Sequence, residues 1–146
     1  MKKLLLCLSL LCVISVFGAA KSADPKIKGF MRELKLDYEE NDTALIVKDK
    51  NLTIFVLHEK YEKLGMRAYQ IWMVIPQKRK LTNEMYDRML QANLDSAIIS
   101  WGMLGEFPAL KIIVSENCTK DEFTLALIAG LAKCENFEKN IVRGEK

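Results

Sequence analysis

The sequence predicts an α+β domain: an antiparallel five-stranded sheet packed with helices, in the order α-β-β-β-α-β-β-α. Two observations lead there. Five apolar segments of strand length are bounded by Gly, Pro, Asn and Asp, and most are joined by links too short for a parallel crossover. Three other segments carry apolar residues at helical spacing behind a capping residue.

The elements follow in order. Asp24-Pro25 places a cap before a proline at the first helical position, and Ile27, Phe30, Met31 and Leu34 then share one face of a short helix. The stretch Asp37-Tyr38-Glu39-Glu40 and the turn-prone Asn41-Asp42 lead into a first strand, Ala44 to Val47. Lys48-Asp49-Lys50-Asn51 turns the chain into a second, Leu52 to Glu59. A polar link, Tyr61 to Gly65, precedes the third strand, Met66 to Ile75, which Pro76 stops. Thr82 caps a helix carrying Met85, Tyr86, Met89, Leu90, Asn93 and Leu94. A second hairpin joins Ile98 to Leu104 with Ala109 to Val114 across Gly105-Glu106-Phe107-Pro108. Thr119 to Glu122 forms a capping box opening the last helix, which runs to about Phe137. The domain is thus expected over residues 24–138, with 139–146 a flexible, frayed tail.

Alternation assigns the faces of the sheet. Tyr69, Ile71, Met73 and Ile75 form the more apolar set of the third strand and belong to the core. Leu52, Ile54, Val56 and His58 join them from the second strand, and Leu110, Ile112 and Val114 from the fifth. The other face is not polar: Phe55, Leu57, Trp72, Val74 and Ile113 form an apolar patch of the kind that marks an interaction site, unless a helix crosses it and makes a second core layer.

Residues 1–20 have the pattern of a secretory signal peptide. Lys2 and Lys3 precede the apolar run Leu4 to Phe17, and Gly18-Ala19-Ala20 supplies small residues for cleavage after Ala20. The run is shorter than the ~20 residues of a membrane span, which argues against an uncleaved anchor. The expectation is an exported protein, periplasmic or secreted, with no stable membrane insertion after cleavage. The formal charge of +3, from 22 basic and 19 acidic residues, falls to +1 when Lys2 and Lys3 leave. That balance gives no reason to expect nucleic acid or anionic lipid as a partner. Lys78-Arg79-Lys80, the single basic run, fits a solvated loop.

Cys118 and Cys134 remain after cleavage. A continuous helix between them holds them ~24 Å apart at 1.5 Å per residue, against the ~7 Å limit for a disulfide, so free thiols or an intermolecular link are expected. No catalytic, cofactor-binding or metal-binding residues emerge. His58 is the one histidine, and its own segment offers no ligand at metal spacing, which suits a partly buried, satisfied imidazole. There is no phosphate-binding glycine loop or nucleophile elbow, and Ser96, Ser100 and Ser115 have no activating motif nearby. Asn41-Asp42-Thr43, Asn51-Leu52-Thr53 and Asn117-Cys118-Thr119 match the glycosylation sequon, but Asn and Thr are equally what turns and caps require.

Three stretches carry a family likeness: Phe30-Met31-Arg32-Glu33-Leu34-Lys35-Leu36-Asp37-Tyr38 before a hairpin, the strand Leu52-Thr53-Ile54-Phe55-Val56, and the helix end Leu90-Gln91-Ala92-Asn93-Leu94. With the element order, they make residues 24–137 resemble the YbjN-type family, a group labelled as bacterial sensory-transduction regulators that shares the fold of type III secretion chaperones. The resemblance implies a non-enzymatic α+β domain, a homodimer, that holds protein segments against its sheet or helices. An export signal sets this chain apart from secretion chaperones, which work in the cytoplasm. The functional expectation is an exported, chaperone-like protein-binding module, with Phe55, Leu57, Trp72, Val74 and Ile113 as the partner or dimer surface and no cofactor. A small-molecule or lipid carrier, with the same apolar residues lining a pocket, is the alternative.

Overall fold

The computed structural model describes residues 24–48, 51–61, 65–76, 80–94 and 98–145. The leader over residues 1–20, Asp49 and Lys50 of the first turn, and Lys78 and Arg79 of the basic run lie outside them. The elements are α1 Pro25–Glu33, β1 Glu39–Glu40, β2 Ala44–Lys48, β3 Thr53–Tyr61, β4 Met66–Val74, α2 Asn83–Leu94, β5 Ile99–Leu104, β6 Phe107–Ser115 and α3 Lys120–Glu135, followed by a π-helical turn, Glu138–Arg143. The fold is α+β, built on one open antiparallel sheet in the strand order β1-β2-β3-β4-β6-β5.

The sheet has six strands and not the expected five. The added strand is Glu39–Glu40, which pairs with Ile46 and Leu45 at the edge. Two glutamates give no alternation to read, and their place is set by charge: Glu39 bonds Lys48 at 2.6 Å, and Glu40 pairs with Lys28 of α1. A short, charged strand is also a poor template for pairing with another chain, so it blunts this edge.

The opposite edge, β5, is closed by a side chain. Asn93 of α2 accepts from the Trp101 N–H at 2.5 Å and donates to the Trp101 carbonyl at 2.9 Å. Its carboxamide therefore occupies both outward backbone groups of Trp101, as a neighbouring strand would. The β5–β6 hairpin turns on Gly105, whose φ of +62° suits the first central position of a type II′ turn.

All three helices pack on one face of the sheet. Ile27 and Met31 of α1, Met85 and Met89 of α2, and Phe123 and Leu127 of α3 are buried against Leu45, Ile54, Val56, Tyr69, Ile71, Met73, Leu110 and Ile112. This is the face that alternation assigns to the core. Gly130 lets α3 approach closely: a Cβ there would lie 2.6 Å from Met73 Sδ and 2.7 Å from Ile112 Cδ1. Asp24 caps α1 by accepting from Lys26 N at 2.8 Å, and Thr119 and Glu122 form the capping box of α3.

The stretch expected as a tail is part of the fold. Phe137 and Ile141 are buried in the main core, and Arg88 of α2 donates to the Ile141 and Val142 carbonyls at 2.6 and 2.9 Å. The π-helical turn, closed by Gly144 at φ +69°, brings those carbonyls to the arginine. Cys118 and Cys134 are free and lie at the two ends of the continuous α3.

Candidate functional site

The outer sheet face, turned away from the helices, carries a second apolar cluster: Ala44, Ile46, Phe55, Leu57, Val74, Leu104, Phe107 and Ala109, with Trp72 packed against them. Strand register produces it. One row across the sheet is Ile46, Phe55, Trp72 and Lys111; the next is Ala44, Leu57, Gln70 and Ile113. Four of the five residues expected at the interaction surface thus meet: Phe55, Leu57 and Val74 are buried and Trp72 is half-buried. Ile113 shares the face, lies outside the buried cluster and is 37 % exposed. Every member of this cluster among the described residues is a strand residue, and none comes from α1, α2 or α3.

A line of polar groups crosses the same face. Trp72 Nε1 donates to Gln70 Oε1 at 2.9 Å, and Gln70 Nε2 donates to the Tyr61 hydroxyl at 2.5 Å. Lys111 sits 5.3 Å from the centre of the Trp72 ring, a cation–π contact. Burial, with the nearby Glu59 carboxylate, raises the Tyr61 pKa above the usual phenol value. Glu59 Oε2 is itself buried and has no hydrogen-bond partner among the described residues. Alternation places Glu59 and Gln70 on the same face as Phe55 and Trp72, but the hydrogen bonds that join Trp72, Gln70 and Tyr61 arise only from the strand register.

His58 lies on the helix side, where three remote residues meet it. Its Nδ1 is 3.8 Å from Asp24 Oδ2 and its Nε2 3.4 Å from Glu116 Oε2, while its ring packs on Tyr69 at 5.0 Å between centroids. The Tyr69 hydroxyl donates to Asp24 Oδ2 at 3.0 Å, and Lys26 Nζ donates to the Glu116 carbonyl at 2.7 Å. The group ties the start of α1 and the β6–α3 turn to the sheet. Burial, then the hydrogen bond to Asp24, pushes the Tyr69 pKa well above the phenol range, so this hydroxyl stays protonated. No set of three or more His, Cys, Asp or Glu side chains among the described residues is arranged to hold a metal ion.

Both thiols are held protonated. Burial raises Cys118, and burial followed by the Glu135 charge pushes Cys134 up to about 12. Both shifts disfavour the thiolate, the reactive form of cysteine. Cys134 lines a cleft of about 390 Å³ between α3 and the β2–β3 hairpin, walled by Val47, Leu52, Ile54, Ile75, Leu131 and Phe137. No helix among the described residues is long and apolar enough to cross a membrane. No protein-family model, no curated protein and no solved structure matches the chain.

Proposed function

We propose that this chain is an exported, non-enzymatic, chaperone-like binding module whose outer sheet face holds a segment of another polypeptide. One observation carries the reading: the second apolar layer around Phe55, Leu57, Trp72 and Val74, to which only strands contribute among the described residues. A sheet in an α+β domain needs one buried face for its core, and that need is met by the helix side. The buried members of this layer are only 0–8 % exposed, so on this reading a partner engages the face at its accessible residues, half-buried Trp72 and Ile113, which is 37 % exposed.

The polar line of Trp72, Gln70 and Tyr61 supports a polypeptide over a lipid, because a peptide backbone offers hydrogen-bonding groups along its length and an acyl chain offers none. Export rests on the pattern of residues 1–20, and the YbjN-type likeness, with its chaperone-like fold and homodimeric assembly, belongs to the same reading.

The test is a titration of the exported protein with a reduced, carboxymethylated and therefore unfolded protein, following tryptophan emission. Saturable binding is expected, weakened more than tenfold by Trp72→Glu and by Leu57→Asp in variants whose circular dichroism matches the wild type. Unchanged affinity in folded Trp72→Glu overturns the reading. The cleft beside Cys134 favours a second one, a small-molecule carrier, because its volume of about 390 Å³ lies within the range of ligand pockets. Native mass spectrometry finding a co-purified ligand lost on Leu131→Trp would support it.

A further inference from the structure

The cleft beside Cys134 has apolar walls and a negative mouth. Val47, Leu52 and Ile54 line it from the β2–β3 hairpin, and Leu131 and Phe137 from the end of α3 and the turn beyond. Leu52, Ile54 and Phe137 are buried members of the main core, whereas the polar lining residues Asn51, Glu135 and Glu138 are exposed. The polar groups therefore mark the opening to solvent. Among the described residues that line the cleft there is no lysine or arginine.

The way α3 ends holds both carboxylates at this opening. Asn136 stops the helix, its backbone N–H and its carboxamide both donating to the Ala132 carbonyl, at 3.3 and 2.8 Å. Phe137 then turns into the core and packs on Trp101 at 5.0 Å between ring centroids, while Arg88 fixes the π-helical turn through the Ile141 and Val142 carbonyls. Glu135 and Glu138 flank this anchor at a spacing of three, which sets two side chains on the same side of a helical backbone. The charge of Glu135 is felt inside the cleft, where it adds to burial in raising the Cys134 pKa.

We propose that this cleft binds an organic cation, a primary amine carried on an apolar body, with Glu135 and Glu138 receiving the ammonium group. The inference rests on the carrier reading and names the ligand class that reading leaves open. Two carboxylates at the mouth repel a chain that ends in carboxylate or phosphate and complement one that ends in ammonium. A bare metal ion gains nothing from walls of Val47, Leu52 and Leu131, and no set of three or more His, Cys, Asp or Glu side chains among the described residues is arranged to hold one. A neutral apolar molecule would use the walls alone. Asn51 adds a side-chain oxygen that can accept a further N–H of the ammonium. The volume of about 390 Å³ is near the lower end for ligand pockets, which suits a body of one ring or one short chain.

The test uses n-octylamine, n-octanol and n-octanoate, probes of equal chain length that differ in the charge of the head group. Calorimetric titration of the exported protein at neutral pH and low salt is expected to show saturable binding, with octylamine at least tenfold tighter than octanoate and octanol between them. Replacing both carboxylates, Glu135→Gln with Glu138→Gln, is expected to bring the three affinities within about threefold of one another. Salt at about 0.5 M narrows the same gap, because the carboxylates face solvent. Leu131→Trp fills the cleft and is expected to weaken all three probes severalfold. Position is read independently at Cys134, whose labelling by a maleimide, followed by peptide mass, is expected to slow severalfold with octylamine. Octanoate binding as tightly as octylamine overturns the proposal and leaves the carrier reading standing. So does a preference for the amine that survives the double substitution, or amine binding that leaves Cys134 labelling unchanged. Failure of all three probes to bind overturns the carrier reading and the proposal with it.

Discussion

Replacing Asn93 by alanine tests how the sheet is closed at β5. The Asn93 carboxamide accepts from the Trp101 N–H at 2.5 Å and donates to its carbonyl at 2.9 Å, and Trp101 is buried against Phe137 with ring centroids 5.0 Å apart. Alanine leaves both backbone groups without a partner in a place where α2 limits access of water. Each unsatisfied group costs ~1–3 kcal/mol, and water reaching one of them reduces the sum, so ~2–4 kcal/mol is expected. That is a large part of the ~5–15 kcal/mol available to a domain, and for one of this size it lowers Tm by roughly 8–15 °C. Asn93→Asp keeps the acceptor for the N–H and loses the donor to the carbonyl, so it falls between wild type and alanine. Thermal and urea unfolding followed by far-UV circular dichroism measure all three. A shift below 2 °C for Asn93→Ala would refute the bidentate closure of the edge.

Two further predictions concern α3. Gly130→Ala gains ~1 kcal/mol of helix propensity but forces a Cβ to within 2.6 Å of Met73 Sδ and 2.7 Å of Ile112 Cδ1. Overpacking of this kind costs ~1–3 kcal/mol, so urea unfolding is expected to show a net loss of about 1 kcal/mol, and a more stable variant contradicts the close approach. Glu122 is held below the usual carboxylate range by the Thr119 backbone N–H first and its hydroxyl second. A depressed folded-state pKa gives stability that is present above the ordinary glutamate value of 4.5 and lost as pH falls through the folded one, so Glu122→Gln should flatten the acid side of the stability profile. An unchanged acid limb in Glu122→Gln counts against the capping box as its source.

The sequence revealed the faces of the sheet because alternation survives any error in strand ends. Tyr69, Ile71 and Met73 lie on the helix side, and Phe55, Trp72 and Val74 on the other, although the ends of the strands differ from the expected ones by up to two residues. What was not legible has three physical causes. Glu39–Glu40 is a strand by pairing and not by composition, since two glutamates carry no periodicity. Phe137 and Ile141 are four residues apart, a helical signal hidden by the charged residues around them, so the sequence does not show the π-helical turn. The surroundings of His58 and of Trp101 depend on contacts that only the fold creates: Asp24 and Glu116 reach the histidine from the ends of other elements, and Asn93 closes β5 from a helix whose apolar face is all that periodicity reports.

Hydroxyl-radical footprinting of the exported protein, with and without the unfolded polypeptide, tests the central claim most directly because it reports side chain by side chain. If the outer sheet face is the binding surface, oxidation of half-buried Trp72 and exposed Ile113 falls severalfold at saturation, while Tyr86 and Leu90 on α2 keep their rates. Unchanged oxidation of Trp72 at saturation, with protection elsewhere, would contradict the account.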